Sequence, residues 1–173
     1  VQAIPINIGK GDALPGVAAS GGSAAVADYD KDGDLDDFVG GRVVPGRYPQ
    51  TPRSCLLRND SGNGRVRFVD AAPGAGLGAL GMVTAAVFSA ANDDGWIDLL
   101  LTCDWGPVKL WQNLEGKLID QTRNAGLADR LGWWSGIAAR DLDNDGDIDY
   151  VLSNLGLNTK YHPSAQKPAI IYY

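Results

Sequence analysis

The sequence contains few of the residues that build helices, membrane spans and nucleic-acid-binding surfaces. Of its 21 acidic residues only Glu115 is a glutamate, and the rest are aspartates, which favour turns over helix interiors. No apolar run approaches the roughly 20 residues that a membrane-spanning helix needs. The chain of 173 residues carries a net charge of −6, which argues against a nucleic-acid partner because phosphate binding depends on Lys and Arg. The composition therefore argues against a mostly helical, membrane-spanning or nucleic-acid-binding protein.

Histidine and cysteine are also scarce. His162 is the only histidine, so no Ser-His-Asp or Cys-His arrangement can form without it, and nothing beside it marks a nucleophile. The two cysteines, Cys55 and Cys103, lack the C-x-x-C spacing. We expect them to be small buried side chains in separate strands, although pairing in an oxidising compartment stays open. The sequence therefore predicts no catalytic residue and no organic cofactor.

Glycine and aspartate, by contrast, are abundant and recur in three similar segments. Each segment consists of a short apolar run, an acidic loop and a second short apolar run. The loops contain Gly33, Gly95 and Gly146, which are 62 (95 − 33) and 51 (146 − 95) residues apart. The stretches that follow the first two loops also match, residues 56–59 and 68–70 recurring as 110–113 and 118–120. A period of about 50 to 60 residues with about four short apolar runs is typical of β-propeller blades.

We therefore predict an all-β chain with about three four-stranded propeller blades, all in one propeller domain. Residues 43–52 contain three prolines and should form an irregular excursion between strands. Because propellers close with four to eight blades, the chain is either an excerpt of a longer propeller or one of several chains that complete a ring. Open propeller edges invite self-association. The predicted boundaries are a lead-in at 1–22, blade 1 at 23–77, blade 2 at 78–127 and an incomplete blade 3 at 128–173.

Two of the acidic loops have the pattern Asp-x-Asp-x-Asp-Gly-x-x-Asp, which suits calcium. Calcium takes six to eight oxygen ligands, and short Asp side chains separated by single residues can curl around one point, with glycine at position 6 for the sharp turn. Position 7 needs to offer only its backbone carbonyl oxygen. Without a cation, carboxylates held so close together would repel one another. The predicted ligands are Asp28, Asp30, Asp32, the carbonyl of Asp34 and Asp36 in the first loop, and Asp141, Asp143, Asp145, the carbonyl of Asp147 and Asp149 in the third loop.

The middle loop departs from this pattern. Ala90 stands at position 1 and Asn92 at position 3, so Asn92, Asp94, the carbonyl of Trp96 and Asp98 are weaker candidate ligands. Because affinity in such loops follows the number of charged ligands, the loop is either a weak or empty site or a calcium site completed by water. We predict two bound Ca²⁺ ions and leave the third open.

Together these features resemble a known family. The tandem strand–acidic loop–strand units are similar to FG-GAP (VCBS-type) repeats, the blades of integrin-α-like β-propellers. The stretch at 38–49 and the motifs at 104–107, 132–134 and 154–159 resemble a bacterial branch of secreted and surface proteins, the ASPIC-and-UnbV type. The resemblance implies that the chain is part of a six- or seven-bladed propeller with calcium at the matching loop positions.

The function that we expect is a calcium-stabilised scaffold that binds or adheres to a protein or carbohydrate partner. Five tryptophans either pack between blades or present an aromatic surface to that partner: Trp96, Trp105, Trp111, Trp133 and Trp134. The alternative is a carbohydrate-active or redox enzyme built on one propeller face, although no catalytic constellation is visible. The chain begins with Val1 and shows no export signal. We expect an exported protein whose signal has been removed, located in the extracellular space, the periplasm or at the cell surface.

Overall fold

The first unit is an antiparallel sheet of four strands in the order β1-β2-β3-β4. The computed structural model describes residues 20–156, 160–164 and 166–170, so most of the predicted lead-in lies outside the described residues. The first acidic loop joins β1 to β2, and Ala24 pairs with Val39 across this hairpin. The proline-rich excursion separates β2 from β3, as predicted. The strands are β1 (Ser20–Ala27), β2 (Asp36–Val43), β3 (Cys55–Asn59) and β4 (Phe68–Asp70).

Two short helical turns lead from the first sheet to the second. They are the helix α1 (Ala72–Ala75) and a 3-10 helix (Leu77–Ala79). Gly76 lies between them with φ of 70°, a left-handed conformation that glycine adopts without strain. In the described part of the chain, no helix is long and apolar enough to cross a membrane.

The second unit repeats the first. Its four strands are antiparallel in the order β5-β6-β8-β9, and the middle acidic loop joins β5 to β6. The short strand β7 lies between β6 and β8 in the chain but pairs outside this sheet. The strands are β5 (Met82–Ser89), β6 (Asp98–Asp104), β7 (Gly106–Pro107), β8 (Lys109–Leu114) and β9 (Lys117–Asp120).

The third unit consists of one hairpin within the described residues. Its strands β11 (Trp134–Arg140) and β12 (Asp149–Asn154) are antiparallel, and the third acidic loop joins them. The preceding strand β10 (Leu131–Gly132) pairs with β7 and thereby ties this unit to the second.

The units stack in chain order, with β5 packed against β1 and β2, and β11 packed against β5 and β6. One hydrophobic core lies between the first two sheets, with Phe38 and Leu56 from one side and Leu99 and Trp111 from the other. The backbones approach closely here, since a Cβ atom at Gly40 would lie 2.6 Å from Cγ1 of Val83. The architecture is all-β, with four-stranded antiparallel sheets like propeller blades. The predicted fold class is confirmed.

Candidate functional site

The first acidic loop, residues 28–36, brings three carboxylates together. Asp28, Asp30 and Asp36 each offer one oxygen, and these oxygens all lie within 4.8 Å of one another. The loop curls because Lys31 and Gly33 adopt left-handed backbone conformations, with φ of 60° and 96°. Glycine at position 6 is therefore required by conformation, since a Cβ atom at Gly33 would meet nothing within 4 Å.

Backbone amides hold the carboxylates of Asp28 and Asp36 in place. Asp28 accepts a hydrogen bond from the amide of Gly33 at 3.1 Å. Asp36 is completely buried and accepts the amide of Tyr29 at 3.2 Å and the amide of Asn59 at 2.8 Å. The position of Asp36 is thus fixed both by its own loop and by the end of β3.

The third carboxylate, Asp30, is not fully satisfied. Its Oδ1 atom is buried and has no hydrogen-bond partner among the described residues. Burial, and then the charge of Asp32, raises the pKa of Asp30, and burial raises the pKa of Asp36 to about 6 although backbone amides oppose the shift. A buried carboxylate oxygen without a partner costs free energy unless a cation binds it. The electrostatics of the loop therefore fit a bound cation.

The third acidic loop, residues 141–149, repeats this arrangement in a more exposed setting. Oxygens of Asp141, Asp143 and Asp149 again lie within 4.8 Å of one another. Asp141 accepts the amide of Gly146 at 3.1 Å, and Asp149 accepts the amide of Leu142 at 2.9 Å. Two loops that are 113 residues apart (141 − 28) thus build the same group of three carboxylates.

The carboxylates at position 5 lie outside these groups. Asp32 accepts the amide of Asp34 at 2.9 Å, and Asp145 accepts the amide of Asp147 at 2.9 Å. Each therefore braces the residue whose backbone carbonyl is the predicted ligand at position 7. The structure brings together positions 1, 3 and 9 of each loop and uses position 5 to shape the turn.

The polar side chains of the middle loop form hydrogen bonds with the loop itself and with β8. Asn92 donates a hydrogen bond to Asp94 at 2.8 Å, and Asp94 also accepts the amide of Trp96 at 2.8 Å. These two hydrogen bonds, the amide first, lower the pKa of Asp94. Asp98 is buried and accepts the amide of Asn113 at 2.7 Å. Within the described part of the chain, this loop contributes no group of three converging carboxylates.

The donor atoms indicate which kind of ion these loops suit. The side chains of both groups are all aspartates and supply only oxygen. Oxygen donors suit hard cations such as Ca²⁺ and Mg²⁺, whereas zinc and copper sites use imidazole and thiolate ligands. The residues present therefore fit the predicted ion.

Part of the second unit and part of the third match a known sequence family. Residues 91–152 match the family model of the FG-GAP-like repeat. The matched segment begins at position 2 of the middle loop and includes the whole third loop. The match supports the prediction that this is an FG-GAP repeat protein. No curated protein matches the chain. The narrower resemblance to the ASPIC-and-UnbV type stays a prediction.

Three aromatic side chains meet on connections between strands, away from the acidic loops. Tyr48 follows β2, Trp105 follows β6 and Trp133 precedes β11. The indole N–H of Trp105 donates to the hydroxyl of Tyr48 at 2.6 Å, and the ring centroids of Trp105 and Trp133 are 4.9 Å apart. The three residues are 48%, 40% and 43% exposed, in chain order. We call these three residues the aromatic cluster.

The aromatic cluster lies beside a left-handed backbone position and an ion pair. Trp105 has φ of 57°, a left-handed conformation that is strained for a bulky residue. Beside it, Arg42 forms an ion pair with the buried Asp104 at 2.7 Å. Trp105 and Trp133 are among the tryptophans that could be predicted as candidates from the sequence. Tyr48 could not, because nothing in the sequence places residue 48 beside residue 105.

The cysteines lie where the sequence predicted. Cys55 on β3 and Cys103 on β6 are both buried and free. Burial raises the pKa of Cys103 to about 11, so its thiol stays protonated at neutral pH and is a poor nucleophile.

Proposed function

We propose that this chain is a calcium-stabilised segment of a β-propeller and that it serves as a binding scaffold in an exported protein. The observation that carries the calcium part is the convergence of three carboxylates in each of two loops, with a buried and unpartnered oxygen on Asp30 in the first. The stacked four-stranded sheets and the FG-GAP-like repeat support the propeller part.

In this proposal the ion fixes the turn between the first two strands of a blade. Asp28, Asp30 and Asp36 would hold one ion, and their equivalents at 141, 143 and 149 would hold the other. The ion supplies two positive charges to a group of three crowded carboxylates, so its binding free energy adds to folding stability.

Isothermal titration calorimetry with CaCl₂ tests the calcium sites. The wild type should bind two ions, whereas Asp30→Asn and Asp143→Asn should each lose one, because both change position 3 of a loop. Asp34→Asn is the matched control, since it removes a carboxylate from the first loop but keeps the backbone carbonyl at position 7. Absence of calcium binding to the wild type, or equal loss in Asp30→Asn and Asp34→Asn, would contradict the proposed sites.

The aromatic cluster supports the binding part of the proposal. Exposed aromatic rings that are held by a hydrogen bond and by ring–ring contact offer apolar surface to a partner, which suits a sugar ring or an apolar side chain of a partner protein. A glycan array with the calcium-loaded protein should find ligands whose binding is lost in Trp133→Ala and kept in Trp96→Ala, which removes a tryptophan at the loop end. Turnover of a bound glycan would instead favour the alternative function, an enzyme.

A further inference from the structure

The ion loop at 28–36 is anchored in the neighbouring sheet through its second residue. The side chain of Tyr29 is only 4% exposed and belongs to the core between the first two sheets, where it lies with Leu99 and Trp111 of the second sheet. In the loop at 141–149 the corresponding residue, Leu142, is 58% exposed. The two loops therefore share a carboxylate arrangement and differ in what surrounds them.

A buried side chain of the second sheet also holds the backbone of this loop. Asn113, at the end of β8, is completely buried. Its side-chain amide donates to the carbonyl of Tyr29 at 2.7 Å and to the carbonyl of Ile97 at 3.0 Å. Its side-chain oxygen accepts the amide of Gly116 at 2.8 Å. One side chain thus ties the first acidic loop to the middle acidic loop and to the turn between β8 and β9.

Two more contacts between the sheets reach the loop directly beside its carboxylates. A Cβ atom at Gly116 would lie 3.5 Å from the Cβ atom of Asp30, so the β8–β9 turn packs on this residue. The ammonium group of Lys31 lies 4.0 Å from the centroid of the Trp96 ring, within the range of a cation–π interaction. Both loop residues are therefore held from the second sheet.

We propose that the second sheet positions the ion loop at 28–36 through three residues, Asn113, Trp96 and Gly116. These positioning residues hold the loop in the conformation that binds calcium. The inference rests on the proposed function, since it concerns the affinity of that site. A loop held in its bound conformation loses less freedom when the ion binds. Because coupling between two equilibria is reciprocal, calcium in this loop also strengthens the stacking of the second sheet on the first.

The test compares the two loops within one molecule by NMR. Gly33 and Gly146 occupy position 6 of their loops, and the amide of each donates to the carboxylate at position 1, so their amide resonances report each site separately during a CaCl₂ titration. In the wild type the Gly33 signal should saturate at a lower calcium concentration than the Gly146 signal. In Asn113→Ala the calcium affinity reported by Gly33 should fall about five- to tenfold, the effect of losing one buried hydrogen bond, and that reported by Gly146 by less than about twofold.

Trp96→Ala is the milder variant, because Trp96 is only partly buried and the change leaves the charge of Lys31 in place. We expect about a twofold to fivefold loss at Gly33, the effect of an exposed cation–π contact, and no change at Gly146. The inference would be overturned if, in either variant, the calcium affinity fell equally at both glycines or did not change at Gly33. The proposed calcium sites would not be contradicted by that result. If neither glycine responds to calcium in the wild type, the proposed function itself fails.

If Asn113→Ala does not fold, a second measurement tests whether calcium in the first loop is coupled to the stacking of the first two sheets. The amide of Ala86 on β5 donates to the side chain of Ser23 on β1 at 3.0 Å, so its hydrogen exchange reports the contact between the sheets. Calcium should slow this exchange in the wild type and in Asp143→Asn, but much less in Asp30→Asn, which weakens the anchored loop. Equal slowing in the two variants would show that calcium in the first loop has no special connection to the stacking.

Discussion

Removing calcium should lower the melting temperature of this protein by about 10–20 °C. A dissociation constant of about 0.1 mM is the tight end of the range for calcium sites of extracellular modules. At this value, about 10 mM calcium is a hundredfold excess and stabilises the folded state by about 2.7 kcal/mol per site. The structure offers two groups of three carboxylates, hence about 5 kcal/mol in total. For a chain of this size, each kcal/mol corresponds to about 2–4 °C.

Circular dichroism melts in calcium and in EDTA measure this difference, with magnesium as the ion control. Asp30→Asn should keep about half of the calcium-dependent shift, because the loop at 141–149 is unchanged. Asp34→Asn should keep all of it. If the wild type melts within about 2 °C of the same temperature in calcium and in EDTA, against the size-scaled expectation, neither loop stabilises the fold through an ion and the reasoning from crowded carboxylates is wrong.

Three further predictions concern the loops and the core. The double variant Ala90→Asp/Asn92→Asp restores the acidic pattern of the middle loop and should raise the calorimetric stoichiometry from two ions to three; an unchanged stoichiometry would mean that the loop backbone prevents binding. Because the pKa of Asp36 is raised from 3.8 to about 6, the stability that its protonated form contributes is present below pH 3.8 and is lost as pH rises through 6. In EDTA the melting temperature should therefore fall between about pH 4 and pH 7 more steeply than in calcium, and parallel pH profiles would contradict this. A thiol reagent should label neither Cys55 nor Cys103 in the folded calcium-loaded protein, and should label both after denaturation; rapid labelling of the folded state would contradict their burial.

The strands, acidic loops and loop glycines could be predicted from the sequence because the same pattern recurs in each repeat. The apolar run 84–88 lies within β5 (Met82–Ser89), and the run 135–139 lies within β11 (Trp134–Arg140). Strand, loop and glycine follow each other within about 20 residues, so short-range patterns determine them. The loop glycines confirm this, since Gly33 and Gly146 both adopt the positive φ expected at position 6.

The contacts between sheets could not be predicted in this way. Asn113 bonds to the carbonyl of Tyr29 across 84 positions of the chain, and Trp105 bonds to Tyr48 across 57. Such pairs depend on how the sheets stack, and a single sequence carries no periodic signal for stacking. Asn113 did recur in the sequence as the counterpart of Asn59, but only the structure shows that its side chain reaches the neighbouring loop.

The structure also separates two roles that the acidic pattern combines. Asp98 lies in the loop that lacks two acidic ligands, yet it is as buried as Asp36. Each of these two aspartates accepts a hydrogen bond from the backbone amide at position 2 of its own loop. Each also accepts the backbone amide of an asparagine at the end of the third strand of its sheet. These bonds close the loop and hold the third strand through protein atoms alone. Aspartate at position 9 is therefore required by the blade itself and says little about calcium. Positions 1 and 3 carry the distinction, because they are aspartates in the two loops whose carboxylates converge and are Ala90 and Asn92 in the loop where they do not.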